Sequence, residues 1–213
     1  MKVIDLTHTI SPGMPVFPGT EPPMFEPANT LEKHGFIEKK LTMYSHTGTH
    51  IDAPSHVMEK GFTLDSFPTD RFIGQGWVLD AWSLGCKTIE RKHLLPLENQ
   101  VGEIDFLLLY TGWSRYWGRE SYFQGFPVLS LDAASWLADN FNLKGVGADT
   151  ISIDHEESKI FEVHKLLLKK QIFVLENLTN LEFLIGVNFM FLGLPLKTAN
   201  ADGAPIRAVA IIS

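Results

Sequence analysis

The segment from His46 to His56 places the tightest constraint on how this chain can fold. It holds three histidines and an aspartate within eleven positions. Its Thr-Gly-Thr centre and Pro54 disfavour a helix, so we expect an extended chain in which positions 46, 48, 50 and 52 point to one side. His50 and Asp52 would then lie about 6.6 Å apart at their Cα atoms, whereas His46 and His50 would lie about 13 Å apart. The two histidines can share an ion only if the chain bends between them.

Gly48 permits such a bend, because glycine adopts left-handed and bulged backbone conformations that other residues resist. We therefore predict a bulge or tight turn at positions 47–48. This turn would bring His46, His50 and Asp52 together as a three-ligand metal site with one position open to water. Imidazole and carboxylate ligands suit zinc or manganese. The absence of thiolates disfavours a closed structural zinc site. The alternative is that these are polar strand-end residues that hydrogen-bond to one another.

Two distant residues fit the same chemistry. His164 falls on the apolar face of a predicted helix, where a lone histidine is commonly a hydrogen-bonded core residue. Glu176 ends the apolar run 172–175, and a buried carboxylate is costly unless it is paired, hydrogen-bonded or bound to a metal. Pairing with Lys165 or Arg207 is the simpler alternative. If both distant residues join the first cluster, the set has enough ligands for two metal ions.

Predicted strands and helices succeed one another along the chain. Ser130 is a typical N-cap for a helix that ends near Asn142, and apolar residues at helical spacing predict a second helix around His164. A first strand at 3–10 leads into a loop that continues to about Pro27. Further strands are predicted at 36–45, 76–82, 104–110, 145–148, 172–175, 187–194 and 206–212. We therefore predict one α/β domain over residues 1–213, with a mixed sheet core and flanking helices.

Composition and charge exclude several kinds of partner. The 25 acidic residues against 18 lysines and arginines give a net charge of −7, so there is no excess of positive charge to hold a nucleic acid. We find no signal-peptide pattern and no apolar run of the roughly 18 residues that a membrane span needs. The single cysteine, Cys86, cannot form an intramolecular disulfide and fits a reducing compartment. We expect a cytoplasmic protein that binds neither nucleic acid nor membrane.

The histidine-rich segment and several further motifs resemble the cyclase family of metal-dependent hydrolases. Residues 46–56 match the family signature H-x-G-T-H-x-D-x-P-x-H. The likeness continues through Phe17-Pro18-Gly19, Thr111-Gly112-Trp113, residues 147–154, His164 and Leu175-Glu176-Asn177-Leu178. The resemblance implies a compact swivelling α/β fold that assembles as a homodimer or higher homo-oligomer. It also implies zinc, as in bacterial kynurenine formamidases, or manganese, as in isatin hydrolases.

The resemblance to the formamidases also assigns metal ligands. It implies that His46, His50 and Asp52 bind one metal ion. It further implies that Asp52, His164 and Glu176 complete a second one. We therefore expect two Zn²⁺ per chain, with Mn²⁺ as the alternative.

Two more residues complete the predicted site. The resemblance implies that His56 is the acid/base residue, which agrees with its position beyond Pro54 and off the extended face. Phe17 stands where the formamidases commonly have tryptophan. We predict that Phe17 forms an aromatic wall for an aryl substrate, together with Trp113 or Tyr116.

These observations predict a hydrolase that cleaves a non-peptide carbon–nitrogen bond with a metal-activated water. The first hypothesis is an arylformamidase that acts on N-formylkynurenine in tryptophan catabolism. The second is a hydrolase of a cyclic amide or lactone such as isatin. Two other classes stay open. A non-haem iron oxygenase is one, because His50 and Asp52 followed by the distant His164 have the order of a facial triad. A non-catalytic metal-binding protein is the other.

Overall fold

The computed structural model describes residues 1–100 and 102–212, and its centre is an eight-stranded mixed sheet. In chain order the strands are β1 (Lys2–Asp5), β2 (Met24–Asn29), β3 (Glu38–Thr42), β4 (His50–Asp52), β5 (Ile73–Asp80), β6 (Thr88–Ile89), β7 (Phe106–Tyr110), β8 (Val128–Leu129), β9 (Gly145–Ala148), β10 (Phe173–Glu176), β11 (Phe189–Pro195) and β12 (Gly203–Ile212). The α-helices are α1 (Leu31–His34), α2 (Leu131–Asn140) and α3 (Glu162–Lys169). Short 3₁₀ helices lie at Pro54–His56, Leu64–Ser66, Thr69–Phe72, Arg91–Gln100, Trp113–Tyr116, Glu120–Phe123 and Leu181–Leu184.

The sheet closes on itself. Its strands run in the order β12-β11-β5-β7-β9-β10-β4, and β4 pairs with both β10 and the start of β12. The pairs β5–β7, β7–β9 and β9–β10 are parallel, and the remaining pairs of the barrel are antiparallel. Strand β1 pairs with the last residues of β12. The predicted mixed sheet is confirmed, and its closure into a barrel is a feature that the sequence analysis did not predict.

Apolar side chains of the barrel strands alternate between two cores. Along β7, Phe106 and Leu108 belong to a cluster inside the barrel, whereas Leu107 and Leu109 belong to a second cluster under the helices. All four side chains are essentially inaccessible to solvent. A strand covered on both faces must be apolar at every position, which is why this segment is a continuous apolar run.

Helices α2 and α3 pack on the outer face of the parallel strands. Ser130 caps α2 as predicted, because its side chain accepts a hydrogen bond from the backbone N–H of Ala133 at 3.1 Å. Helix α3 buries one face that includes His164 and Leu167, which confirms the predicted helix. Within residues 1–100 and 102–212, no helix combines the length and apolarity needed to cross a membrane.

The early part of the chain differs from the prediction. The loop that we expected to reach about Pro27 contains the start of β2, which forms a hairpin with β3 and pairs with no strand of the barrel among the described residues. The predicted strand over 36–45 is shorter, because β3 spans only Glu38–Thr42. We call residues 24–42 the arm.

Candidate metal centre

The strand pair β4 and β10 carries three of the predicted ligands. His50 lies directly opposite Glu176 in the antiparallel register, and Asp52 lies opposite Val174. Alternate residues of a strand share a face, so His50 and Asp52 point out of the barrel while Ile51 packs in its core. Directly opposed side chains have Cβ atoms about 4.5–5.5 Å apart. The register therefore brings one imidazole and two carboxylates within reach of a shared ion.

The bend before β4 brings the His46 side chain next to Asp52. Gly48 has a φ of +68°, in the left-handed region, as the sequence predicted for positions 47–48. The ring of His46 folds back, so that its Nδ1 lies 2.6 Å from Oδ1 of Asp52. Nε2 of His50 lies 3.4 Å from the same oxygen. Gly203 of β12 packs so closely that a Cβ there would lie 2.3 Å from the His46 ring, and glycine is therefore required at this position.

Helix α3 brings His164 over this strand pair. Its Nε2 lies 3.0 Å from Oε1 of Glu176 and 3.5 Å from Oδ2 of Asp52. Glu176 therefore meets His164 and His50, and not the alternative partner Arg207, which pairs with Asp5 at 2.7 Å. The distant histidine and carboxylate thus join the cluster at positions 46–52.

The second ring nitrogen of His46, His50 and His164 also has a hydrogen-bond partner. Nδ1 of His164 lies 2.6 Å from Oδ2 of Asp154, a carboxylate that also accepts the backbone N–H groups of residues 163 and 164 at the start of α3. Nδ1 of His50 donates to the carbonyl oxygen of Gly48 at 2.8 Å. Nε2 of His46 lies 3.1 Å from Oδ2 of Asp202, a residue that the sequence analysis did not single out. Such hydrogen bonds fix the tautomer and orientation of ligating histidines.

Burial and charge act in opposite directions on the pKa values of this cluster. Burial disfavours a charge on His50, but the carboxylates of Asp52 and Glu176 outweigh it and raise the pKa of His50 to about 10. Burial would likewise raise the pKa of Asp52, but the imidazoles of His46 and His50 hold it well below its usual range. The pKa of His164 is raised well above its ordinary value, because hydrogen bonds to carboxylates outweigh the effect of burial.

The donor set fits a divalent metal ion. Within residues 1–100 and 102–212, two groups of three side chains bring possible ligand atoms within 4.8 Å of one another, namely His46, Asp52 and His56, and His50, Asp52 and Glu176. Among the described residues that line the adjoining cavity there is no lysine or arginine. The positive charge that balances the two buried carboxylates must therefore come from imidazolium protons or from a metal ion. Nitrogen and carboxylate oxygen donors are suited to zinc and manganese.

A cavity of about 300 Å³ opens over the cluster. His56 lines it, with its ring centroid 4.0 Å from that of His46 and 6.2 Å from that of His164. Phe17 also lines it and is 46% exposed. The other apolar or aromatic lining residues are Pro15, Val16, Tyr44, Ile151 and Phe161.

The predicted aromatic contribution of Trp113 or Tyr116 to this wall is wrong. Both pack with Tyr122 in an aromatic cluster that adjoins the cavity through Ile151, and neither lines the cavity itself. The backbone N–H of Trp113 donates to the carboxylate of Asp149 at 3.0 Å.

Comparison with known proteins identifies one family model and several relatives that match most of the chain. The family model Cyclase matches residues 4–155. A kynurenine formamidase of Bacillus cereus is 32% identical over 210 residues, which cover 97% of this chain and 95% of the relative.

Two solved structures have the same fold. Isatin hydrolase A of Labrenzia aggregata, bound to benzyl benzoate, superposes with a TM-score of 0.89 at 26% identity and covers 99% of this chain and 93% of its own. A potential metal-dependent hydrolase with cyclase activity superposes with a TM-score of 0.82 at 29% identity, over 98% and 96% of the two chains.

Proposed function

The chain belongs to the cyclase family, and we propose that residues 1–213 form one hydrolase domain that cleaves the carbon–nitrogen bond of an aryl amide or lactam. One observation carries this proposal. Three histidines and two carboxylates, from three separate parts of the chain, meet beside one cavity that has aromatic side chains in its wall. Buried donors of this type with access to a cavity are typical of catalytic rather than structural metal sites.

We assign His46, His50 and Asp52 to one metal ion and Asp52, His164 and Glu176 to a second. The position of Asp52 supports this sharing, because its Oδ1 faces His46 and His50 while its Oδ2 faces His164. We propose Zn²⁺ for both positions, two per chain, with Mn²⁺ as the alternative, since the same ligands accept either ion. The facial-triad alternative uses His50, Asp52 and His164 only and gives no role to His46 or Glu176.

His56 and Phe17 provide the remaining chemistry. A divalent ion bound by these residues would supply Lewis-acid chemistry: it would polarise the scissile carbonyl and lower the pKa of a water molecule. His56 would accept a proton from the water as its oxygen bonds to the carbonyl carbon, and would pass that proton to the leaving nitrogen as the carbon–nitrogen bond breaks. Partial burial lowers the pKa of His56, so its ring is neutral at pH 7 and able to accept a proton. Phe17 packs against the aryl ring of the substrate.

The comparisons support two substrates. N-formylkynurenine is the first proposal, because the Bacillus cereus relative is a kynurenine formamidase and matches nearly the whole chain. Isatin is the second, because the isatin hydrolase of Labrenzia aggregata has the same fold at a TM-score of 0.89. In both substrates the scissile carbonyl is bonded to a nitrogen that is attached to an aromatic ring, which fits a metal site beside an aromatic wall.

Removal of the metal is expected to abolish hydrolysis. Protein purified without added metal should carry about two zinc ions per chain, and a chelator should stop the deformylation of N-formylkynurenine, because the activated water is lost. Re-addition of Zn²⁺ to the chelated protein should restore the rate. The measurement is metal content by mass spectrometry beside product formation from N-formylkynurenine and from isatin. Protein with no metal and no activity after Zn²⁺ or Mn²⁺ is added would contradict the proposed function.

Two conclusions from the composition remain part of the proposal. The single cysteine supports a reducing compartment such as the cytoplasm. The net charge of −7 supports a small-molecule substrate and not a nucleic acid.

We further propose that the protein is a homodimer that associates through the arm, residues 24–42. A lone two-stranded hairpin is marginally stable in water, yet β3 is exposed along its whole length and β2 along most of it. Large apolar side chains on the arm are also exposed, namely Met24, Leu31, Phe36, Ile37 and Leu41. Its three glutamates and three lysines leave the arm with no net charge, although the whole chain carries −7. A second copy of this neutral, apolar surface is therefore a suitable partner.

The double variant Phe36→Ser/Ile37→Ser is expected to raise the dimer dissociation constant at least about 100-fold, since burial of each side chain contributes about 1.5–3 kcal/mol. The measurement is molar mass by light scattering over a concentration series. Phe183→Ser is the matched control, because Phe183 is 58% exposed and lies outside the arm. If the wild-type protein is monomeric throughout, or if only the control variant dissociates, the arm is not the interface.

A further inference from the structure

Asn177 follows the candidate ligand Glu176 and has a φ of +57°, in the left-handed region that asparagine tolerates. Its backbone is hydrogen-bonded to two other segments of the chain, at Thr150 and at Thr49. The N–H donates to the carbonyl of Thr150 at 2.9 Å, and the carbonyl accepts a hydrogen bond from the hydroxyl of Thr49 at 2.6 Å. The residue is buried and fixed in place, and its side chain lies next to the bend that carries His46 and His50.

The side-chain amide of Asn177 reaches that bend directly. Its Nδ2 donates to the carbonyl oxygen of Gly48 at 2.9 Å. The same oxygen accepts the hydrogen bond from Nδ1 of His50. A carbonyl oxygen can only accept, so Nδ1 of His50 carries a hydrogen and Nε2 is the nitrogen that faces Asp52 and Glu176. The direction of the Gly48 carbonyl therefore determines which nitrogen of His50 is offered to a metal.

Tyr122 fixes the orientation of the Asn177 amide. Its hydroxyl donates to Oδ1 of Asn177 at 2.7 Å, which leaves Nδ2 as the group that faces Gly48. The Tyr122 side chain is fully buried, and burial raises the pKa of its hydroxyl well above the ordinary value, so the group remains a donor. The backbone carbonyl of Tyr122 is held in turn by the indole N–H of Trp113 at 2.9 Å.

We propose that Tyr122 and Asn177 are positioning residues that act through the Gly48 carbonyl to set the tautomer and direction of His50. This inference rests on the proposed function, in which His50 ligates a metal ion. Neither hydrogen bond involves a candidate ligand directly. The sequence of contacts runs from the Tyr122 hydroxyl to the Asn177 amide, then to the Gly48 carbonyl, and ends at Nδ1 of His50. Removal of an early contact should therefore weaken metal binding without removal of a ligand.

The test is a double-mutant cycle on metal affinity. Tyr122→Phe removes only the hydroxyl, and Asn177→Gly removes the amide while glycine keeps the left-handed backbone. We expect Zn²⁺ to bind about 10–100-fold more weakly to Asn177→Gly, the range for loss of a hydrogen bond that orients a ligand, and several-fold more weakly to Tyr122→Phe. The double variant should match Asn177→Gly, because Tyr122 acts only through Asn177. The visible spectrum of the Co²⁺-loaded protein should shift in both single variants.

Tyr116→Phe is the matched control, since Tyr116 lies in the same aromatic cluster, and it should bind Zn²⁺ as the wild type does. Wild-type affinity and spectrum in Tyr122→Phe would overturn the inference and leave the proposed function intact. Additive losses in the double variant would also overturn it, because Tyr122 would then act independently. A wild-type protein that binds no metal would overturn both. If Asn177→Gly does not fold, Tyr122→Phe with its control decides the matter alone.

Discussion

Replacement of Asp52 by asparagine is expected to remove both metal ions and to lower kcat/KM by about 1,000-fold or more. Asp52 is the only carboxylate that faces all three histidines of the cluster in the described part of the chain. A metal ion contributes several kcal/mol to a hydrolytic transition state, and each 1.36 kcal/mol corresponds to a factor of about ten in rate. Asparagine has nearly the same shape, so the fold should persist. The measurement is metal content per chain after gel filtration, beside kcat/KM.

Asp202→Asn is the graded control for this variant. Of the candidate ligands, its carboxylate contacts His46, at the outer nitrogen and at a distance of 3.1 Å. Loss of such a contact should weaken metal affinity about 10–100-fold while the stoichiometry at saturating metal is unchanged. If Asp52→Asn keeps two metal ions per chain, Asp52 does not bridge them and the assignment of both ligand sets is wrong.

Long, strongly patterned segments of the fold could be predicted from the sequence. Strand β7 is apolar at every position because it is covered on both faces. Helix α2 has a cap, and α3 has one apolar face. These signals are local, since each depends on neighbours within a few residues of the same element.

The closure of the barrel could not be predicted in the same way. It depends on β4, which has three residues, and on its pairing with the first residues of β12 some 150 positions later. Three residues are too few to show a period, and register between distant strands leaves no local signal. The arm was predicted only in part, because β3 lies within the predicted strand at 36–45 whereas the start of β2 lies in the predicted loop. Strand β2 is exposed along most of its length and contains Pro27, so it lacks the alternation that identifies a half-buried strand.

The residues of the candidate site likewise fall into those that a local sequence signal identifies and one that only the folded barrel brings to the site. His46, His50 and Asp52 are close in sequence, and the bend at Gly48 follows from the type of residue. Glu176 was recognisable because a carboxylate at the end of a buried strand needs a partner. Asp202 gave no such signal. It is partly exposed and precedes the glycine that lets β12 approach the His46 ring, so only the folded barrel brings it to the site.

Replacement of His56 by alanine is expected to lower turnover by about 100- to 10,000-fold and to leave the metal content unchanged. His56 lines the cavity beside His46, on the short helix that follows β4. Its lowered pKa makes the neutral imidazole the dominant form at pH 7, which is the form that accepts a proton. Loss of this base should reduce kcat more than it changes KM, because proton transfer contributes to the transition state and not to substrate binding. The measurement is steady-state kinetics with metal analysis of the same sample.

The metal analysis decides between two roles, because His56 can also form a ligand group with His46 and Asp52. A ligand and a proton acceptor both lower turnover when they are removed, but only a ligand takes metal with it. His155→Ala is the matched control, since His155 is exposed and lies outside the cavity, and it should leave both readouts unchanged. If His56→Ala loses a metal ion, His56 belongs to the first ligand set. Proton transfer to the leaving nitrogen must then be assigned to another residue of the cavity.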